Sequence, residues 1–351
     1  MEIAIIGGGA CGLLLASILE KNNINYKLFN RGKIGNKILA SGNGRCNISN
    51  DNFKMDAYHN NPLACKIVSE NYENLFDYFK ELKIYTKIDS EGRMYPISES
   101  SQSVLDLILK KINNRIIDTT ILNIKNINNK YYLNDSFGPF DKVILAYGSI
   151  AGYKPPYTFL DFTKELNLEM VALKPSLVGF KTYQKFKEIS GTRAKVLAKL
   201  YQNNNLIHEE NGEVIFKDDG ISGICIMNLS SYYANLKNTD NCYISLDFSP
   251  YMEFDDYTSI INPKLLKYII KNNIPIHNFK INIQSTYDFS LSQVCKGGIS
   301  ISEINDDLSL KKYPNIYVGG ECIDADAVCG GYNLMFAFCC AIKLGKELIC
   351  K

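Results

Sequence analysis

The sequence has 351 residues, 46% hydrophobic and 22% charged, with 39 lysines and arginines against 37 aspartates and glutamates. A formal net charge of +2 argues against a strongly basic nucleic-acid binder and against an anionic membrane surface as main partner. This composition suits a globular chain that can bury a core, in one large domain or two to three smaller ones.

Eleven cysteines occur with no C-x-x-C pair, and His59, His208 and His277 lie far apart, so no metal site is expected. An odd thiol count without a secretion signal predicts reduced cysteines and a cytoplasmic location. No apolar stretch reaches the length of a membrane span.

The chain opens on Glu2-Ile3-Ala4-Ile5-Ile6, which predicts a buried strand, followed by Gly7, Gly8, Gly9, Ala10, Cys11 and Gly12. An apolar run from Leu13 to Leu19 then predicts a buried helix. Gly7, Gly9 and Gly12 therefore spell G-x-G-x-x-G at a strand-to-helix junction, the context in which the pattern predicts a dinucleotide site. Gly7 allows the tight turn, Gly9 lets a pyrophosphate approach the backbone, and Gly12 lets the helix pack on the strand. The helix start offers N–H groups and a positive dipole end to the phosphates.

Tyr26 to Phe29 predicts the second strand of the unit. At its end such folds carry an acid for the adenosine ribose. Here stand Asn30, a neutral and weaker hydrogen-bonding partner, and Arg31, which favours a phosphate. The segment Gly35 to Asn50 then reads as a loop rich in backbone donors, with Lys37, Ser41, Gly42, Gly44, Arg45, Cys46 and Asn47 as candidate contacts. Two fixed cations among such donors suit a pyrophosphate and the polar edge of a flavin ring. Cys46 has no neighbouring cysteine to exchange with and reads as an inert packed thiol.

Gly-Asn-Lys-Ile-Leu-Ala-Ser-Gly-Asn-Gly-Arg-Cys-Asn-Ile-Ser-Asn, residues 35 to 50, resembles the signature G-x-K-x-x-x-S-G-x-G-R-C-N-x-[ST]-N of the BaiN-like (YhiN-like) bacterial FAD/NAD(P)-dependent oxidoreductases. Three further segments are similar to that family. They are Gly92 to Ser98, Gly212 to Phe216 with Gly220 to Gly223, and Gly319 to Asp324 leading to Gly330-Gly331-Tyr332-Asn333. The resemblance implies an α/β, Rossmann-like FAD-binding domain of the glutathione-reductase type, interrupted by an inserted β-rich domain with a small helical part. It also implies flavin oxidoreductase activity. The sequence departs from the family at Asn30, at Ala146-Tyr147-Gly148-Ser149 in place of an Ala-Thr-Gly-Gly turn, and in its shorter length.

Leu63 to Leu82 and Ser103 to Ile112 read as amphipathic helices, and Ile116-Ile117, Ile121 to Ile124 and Tyr131 to Leu133 as a small antiparallel meander. Val143 to Ala146 predicts a buried strand whose end, at Gly148, returns the chain to the cofactor. Pro155-Pro156, then Pro175, and short strands mark the insert: Val178 to Phe180, Ala194 to Tyr201, Glu213 to Phe216 and Tyr243 to Phe248, with a helical piece from Pro263 to Ile270. Gln202-Asn203-Asn204-Asn205 reads as a turn between strands. Glu209, Glu210, Asp218, Asp219, Asp255 and Asp256 are read as exposed turn acids in preference to substrate contacts. The expected division is 1–174 and 291–351 for the FAD domain and 175–290 for the insert.

By resemblance, Gly320, Glu321 and Asp324 stand near the ribityl chain. Gly331, Tyr332 and Asn333 open a final helix to Ile349 whose dipole would stabilise negative charge on the flavin. Arg45, Lys37 and Tyr332 are the residues expected nearest the reacting ring, and no proton donor is named. The predicted function is a FAD-dependent oxidoreductase passing a hydride from NAD(P)H to a small substrate such as an activated C=C bond. No second G-x-G-x-x-G unit is visible, so any NAD(P)H would bind transiently. Alternatives are an oxidase of a small amine and a non-catalytic FAD sensor. A flavoenzyme acting on RNA stands lowest, because it requires a basic face. Oligomeric state is left open.

Overall fold

The structure, a computed structural model, describes residues 1–112, 115–157, 160 and 162–350. It divides into two compact units. The first comprises residues 1–150, 154–173 and 297–351, and the second residues 151–153 and 174–296.

The first unit opens with β1 (Glu2–Ile6), α1 (Ala10–Lys21) and β2 (Asn25–Asn30). Next come α2 (Asn36–Ala40), β3 (Ser49–Asn50), α3 (Pro62–Glu81), β4 (Thr86–Ile88), β5 (Arg93–Pro96) and α4 (Ser101–Leu109). β6 (Ile116–Asp118), β7 (Ile124–Ile127), β8 (Lys130–Leu133), β9 (Phe137–Phe140), β10 (Lys142–Leu145) and α5 (Phe162–Glu165) follow. Apart from the short excursion at residues 151–153, the chain passes between the units within strands, β11 (Met170–Ser176) outward and, on the return, Val294–Ile299.

β10, β1, β2 and β6 lie side by side in parallel, with a last strand, Ile316–Val318, beyond β10. Ile3, Ala4 and Ile5 are fully buried, as an unbroken apolar strand covered on both faces must be. The final helix lies against α1 and α3. Its Gly345 leaves room for Ile18, whose nearest carbon would lie 2.7 Å from an added Cβ, and Phe338 meets Phe79 edge-on at 5.3 Å. α3 starts where Asn61 accepts the Ala64 N–H and Pro62 sets the first helical φ.

The second unit is a closed six-stranded barrel. It contains β12 (Phe180–Thr182), β13 (Arg193–Gln202), β14 (Asn205–Lys217), β15 (Gly220–Ser222), α6 (Ile224–Ala234), β16 (Cys242–Asp247), α7 (Pro263–Lys271) and β17 (Phe279–Thr286). Its strand order is β12-β15-β14-β13-β16-β17, closed by pairing of β12 with β17. Phe186, Phe216 and Phe279 pack together in its core, with ring centroids 5.2 to 6.2 Å apart. The chain then returns through β18 (Val294–Ile299) to β19 (Ile316–Val318) and α8 (Tyr332–Ile349).

Three expectations change. The segment from Gly35 to Asn50 is not a continuous loop but holds α2, a 3₁₀ turn over Ser41–Gly44 and β3. Ile116-Ile117 belongs to the parallel sheet beside β2, and the antiparallel meander is β7-β8-β9. α6 and β17 were not expected. The Asn203-Asn204 turn does join two strands, with φ of 48° and 65°, the double left-handed geometry that suits a two-residue hairpin.

Candidate functional site

The site is built from the carboxyl ends of β1, β2, β10 and β19 in the first unit. Gly7 ends β1 at φ +118°, its N–H donating to the Phe29 carbonyl at 2.8 Å. A Cβ at Gly7 would fall 2.2 Å from the Ala146 carbonyl oxygen, and one at Gly12 would fall 2.0 Å from the Gly7 oxygen. A Cβ at Gly9 would meet nothing within 4 Å. Two glycines of the motif thus close the turn and the third faces open space. Gly9 is also the N-cap of α1, with no side-chain cap and no acid in the first turn. Its N–H dipoles are therefore available to an anion.

Gly8 donates to Asn30 Oδ1 at 3.2 Å and accepts the Gly35 N–H at 2.8 Å, tying the turn to β2 and to the start of α2. Asn30 also donates from Nδ2 to the Gly32 carbonyl at 2.7 Å, so its amide is used within the chain. Arg31 follows on the exposed side of that bend. Ala10 and Cys11 are buried. Burial, with the Cys340 and Cys322 thiols beside it, pushes the Cys11 thiol well up.

Two distant segments converge on Lys37. Its ammonium meets the Glu321 carboxylate and the Ser149 hydroxyl, the latter at 2.9 Å, and Ser149 Oγ donates to Glu321 Oε1 at 2.8 Å. Gly148, at φ +75°, lets the chain turn there, and a Cβ on it would lie 4.0 Å from Glu321 Oε2. Gly320, at φ +77°, brings the Glu321 backbone against α1, where a Cβ would lie 3.1 Å from that of Cys11.

Several further predicted residues meet at the start of α8. Gly331 caps it at φ +97° with no room for a side chain, since a Cβ would lie 2.3 Å from the Ser49 carbonyl oxygen. In the orientation that satisfies both ends of its amide, Asn47 accepts the Gly331 N–H at 3.1 Å and donates to the Ser49 carbonyl at 3.0 Å. Tyr332 donates its hydroxyl to the Asn52 carbonyl at 2.8 Å, and Asn333 holds Ala327 through both N–H and carbonyl, at 3.0 and 2.9 Å. Ser41 donates to the Ile38 carbonyl at 2.7 Å, while Gly42 and Gly44 carry the left-handed φ values of the turn, +57° and +84°. Burial pushes the Cys46 thiol up to about 11.

The structure does not gather every candidate. Asp324 accepts the Gly297 N–H at 3.0 Å and so secures the return strand. Arg45 lies with its guanidinium 4.8 Å from the centre of the Tyr95 ring, on the exposed side of the turn. Ser149 was missed by the sequence reading, although the unusual Ala146-to-Ser149 turn marked its place. Open space over Gly9, an uncapped α1 and a lysine–carboxylate pair at the sheet ends together fit the phosphates and hydroxyls of an extended dinucleotide.

Comparisons with known proteins give the family and the fold. The family described as HI0933-like protein Rossmann domain matches residues 1–347. A 3-dehydro-bile acid delta(4,6)-reductase of Clostridium scindens is 27% identical, covering 98% of both chains. A ribosomal RNA dihydrouridine synthase of Escherichia coli is 20% identical, covering 99% of this chain and 98% of the other. Among solved structures, an Escherichia coli quinol fumarate reductase FrdA superposes with a TM-score of 0.51 at 10% identity, over 99% of this chain and 70% of that one. A flavocytochrome c3 fumarate reductase gives 0.50 at 14% identity, over 99% and 77%. These two structures share the fold.

Proposed function

The chain belongs to the HI0933-like Rossmann family and is a FAD-dependent oxidoreductase, and from that premise we propose that it passes a hydride from NAD(P)H, through FAD, to a carbon–carbon double bond conjugated with a carbonyl group. The observation that carries the cofactor reading is the motif's division of labour, with Gly7 and Gly12 closed by backbone and Gly9 open. The substrate chemistry is supported by what two relatives' names have in common. A 3-dehydro bile acid with a double bond at carbon 4 is a conjugated ketone, and dihydrouridine is uridine reduced at the double bond next to a carbonyl. Both names describe adding a hydride and a proton to an electron-poor C=C.

FAD, when bound, supplies the hydride transfer itself. The chain's residues hold and orient. The α1 N-terminus and Gly9 would receive the pyrophosphate, and the Lys37–Ser149–Glu321 group would take the ribityl hydroxyls with a fixed arrangement of donors and acceptors. The start of α8 and the donor-rich turn at Ser41–Asn47 would face the polar edge of the ring. A small-molecule substrate is favoured over RNA by the near-neutral charge. No helix among the described residues is long and apolar enough to cross a membrane.

The test is an anaerobic visible spectrum of the purified chain. Addition of NADH or NADPH should bleach the flavin bands, and a conjugated enone should then restore them without oxygen. A flavin that neither nicotinamide reduces, or that only oxygen reoxidises, overturns the reductase reading.

A further inference from the structure

The acid that nucleotide-binding sheets carry at the end of their second strand, where it holds the adenosine ribose, is missing at Asn30. Asn30 fills that role less well. It is 9% exposed, and its neutral amide already accepts from Gly8 at 3.2 Å and donates to Gly32 at 2.7 Å.

The neighbouring strand offers an alternative. β6 runs parallel to β2 in a register that sets Asp118 directly beside Asn30. Adjacent strands lie about 4.8 Å apart, so Asp118 ends its strand within one side-chain length of the place the missing acid would occupy. Its carboxylate is oriented as well as placed: Asp118 Oδ1 accepts the Gly32 N–H at 3.1 Å. The Gly32 peptide is therefore held from both sides, its carbonyl by Asn30 and its N–H by Asp118. Beyond Asp118 the chain stays at this edge, because the Thr119 N–H donates to the Asn30 carbonyl at 2.9 Å. Asp118 is exposed, which leaves its second oxygen open to a ligand.

We propose that Asp118 is the acid that takes the adenosine ribose hydroxyls of the cofactor, so that this contact has moved from the second strand of the unit to its neighbour. The proposal rests on the FAD reading above. A carboxylate fixed by one backbone N–H accepts from two vicinal hydroxyls with its remaining capacity, and charge makes those bonds stronger than the neutral ones Asn30 would give.

Asp118→Asn separates the two roles of this residue, since an amide oxygen still accepts the Gly32 N–H while the charge is gone. The full chain, stripped of flavin, is titrated with FAD by fluorescence, then in competition with ADP and with 2′,3′-dideoxy-ADP. The wild-type chain should prefer ADP, and D118N should lose that preference while binding FAD about tenfold to a hundredfold more weakly. Equal weakening toward ADP and its dideoxy analogue would mean that Asp118 only shapes the Gly32 bend, and would overturn the proposal. So would an unchanged preference. Thermal unfolding of the flavin-free variant, expected to match the wild type, shows that the loss is one of binding. A wild-type chain that takes up no FAD at all removes the FAD reading itself, and this inference with it.

Discussion

Lys37 and Glu321, 284 positions apart in the sequence, form an ion pair at the carboxyl end of the parallel sheet, and Ser149 bonds to both. Both side chains are partly shielded, at 30% and 17% exposure, so removal of one partner leaves the other's charge only partly compensated by water. Glu321→Gln should therefore lower flavin affinity about tenfold while costing the fold about 1 kcal/mol or less, because the pair retains solvent access. Flavin titration and chemical denaturation of the flavin-free chain measure the two separately. A large loss of stability with unchanged flavin affinity would make the pair a purely structural brace.

Thiol chemistry offers a second check. Burial pushes Cys46 up to about 11 and Cys322 and Cys339 up to about 12, so their reactive thiolates are scarce near neutral pH. Cys350 is exposed and Cys329 half-buried. A disulfide reagent at pH 8 should modify Cys350 quickly and Cys329 more slowly, and reach all eleven cysteines only after unfolding. Rapid native labelling of Cys46, mapped by mass spectrometry, would contradict the packed environment at the family turn.

These cases show which features the residues could reveal. The G-x-G-x-x-G turn was legible because a backbone forced to pass 2.0 Å from a missing Cβ leaves only glycine as an answer. β13 was legible, and so was the Asn203-Asn204 turn, but only Glu213–Phe216 of β14 was expected. Glu209 and Glu210, read as turn acids, lie inside that strand and pair with Lys199 and Ala198 of β13. β6 was not, since Ile116–Asp118 is too short to carry a pattern that says which sheet it joins. α6 was hidden because Cys225, Ile226, Leu229, Ser230, Ser231 and Ala234 are all buried, which blurs the apolar stripe of a surface helix. Pairings such as Lys37 with Glu321, or Asn30 beside Asp118, depend on the fold and leave no local trace.

The barrel carries a pH-dependent contact. Tyr287 donates its hydroxyl to Asp219 Oδ1 at 2.6 Å, and that bond holds the Asp219 carboxyl below its ordinary range. A carboxyl lowered in the folded state adds stability above its unfolded value, about 3.9, and loses it as pH falls through the folded one. Tyr287→Phe should thus be less stable than wild type at pH 5 to 7, with the difference shrinking below about pH 4. Melting temperatures from pH 7 down to pH 2 test this. A difference that stays constant with pH would assign the effect of the substitution to packing alone.

The strongest separation of folding from binding lies within the glycine turn. A methyl at Gly7 or Gly12 meets backbone at 2.2 and 2.0 Å, and backbone cannot yield as a flexible side chain can. Gly7→Ala adds strain at φ +118°, a conformation that residues with a Cβ rarely adopt. Both substitutions should destabilise the flavin-free protein by about 3 kcal/mol or more, or prevent its folding. Gly9→Ala differs. Its φ is −90°, its Cβ would meet nothing within 4 Å, and as an N-cap it should cost only about 1 kcal/mol. What the methyl would occupy is the space the pyrophosphate needs, so flavin affinity should fall by about a hundredfold or more while the fold survives. Denaturation and flavin titration of G9A and G12A side by side test the contrast. A G9A protein that keeps full flavin affinity would show that the open space over Gly9 is not the phosphate site.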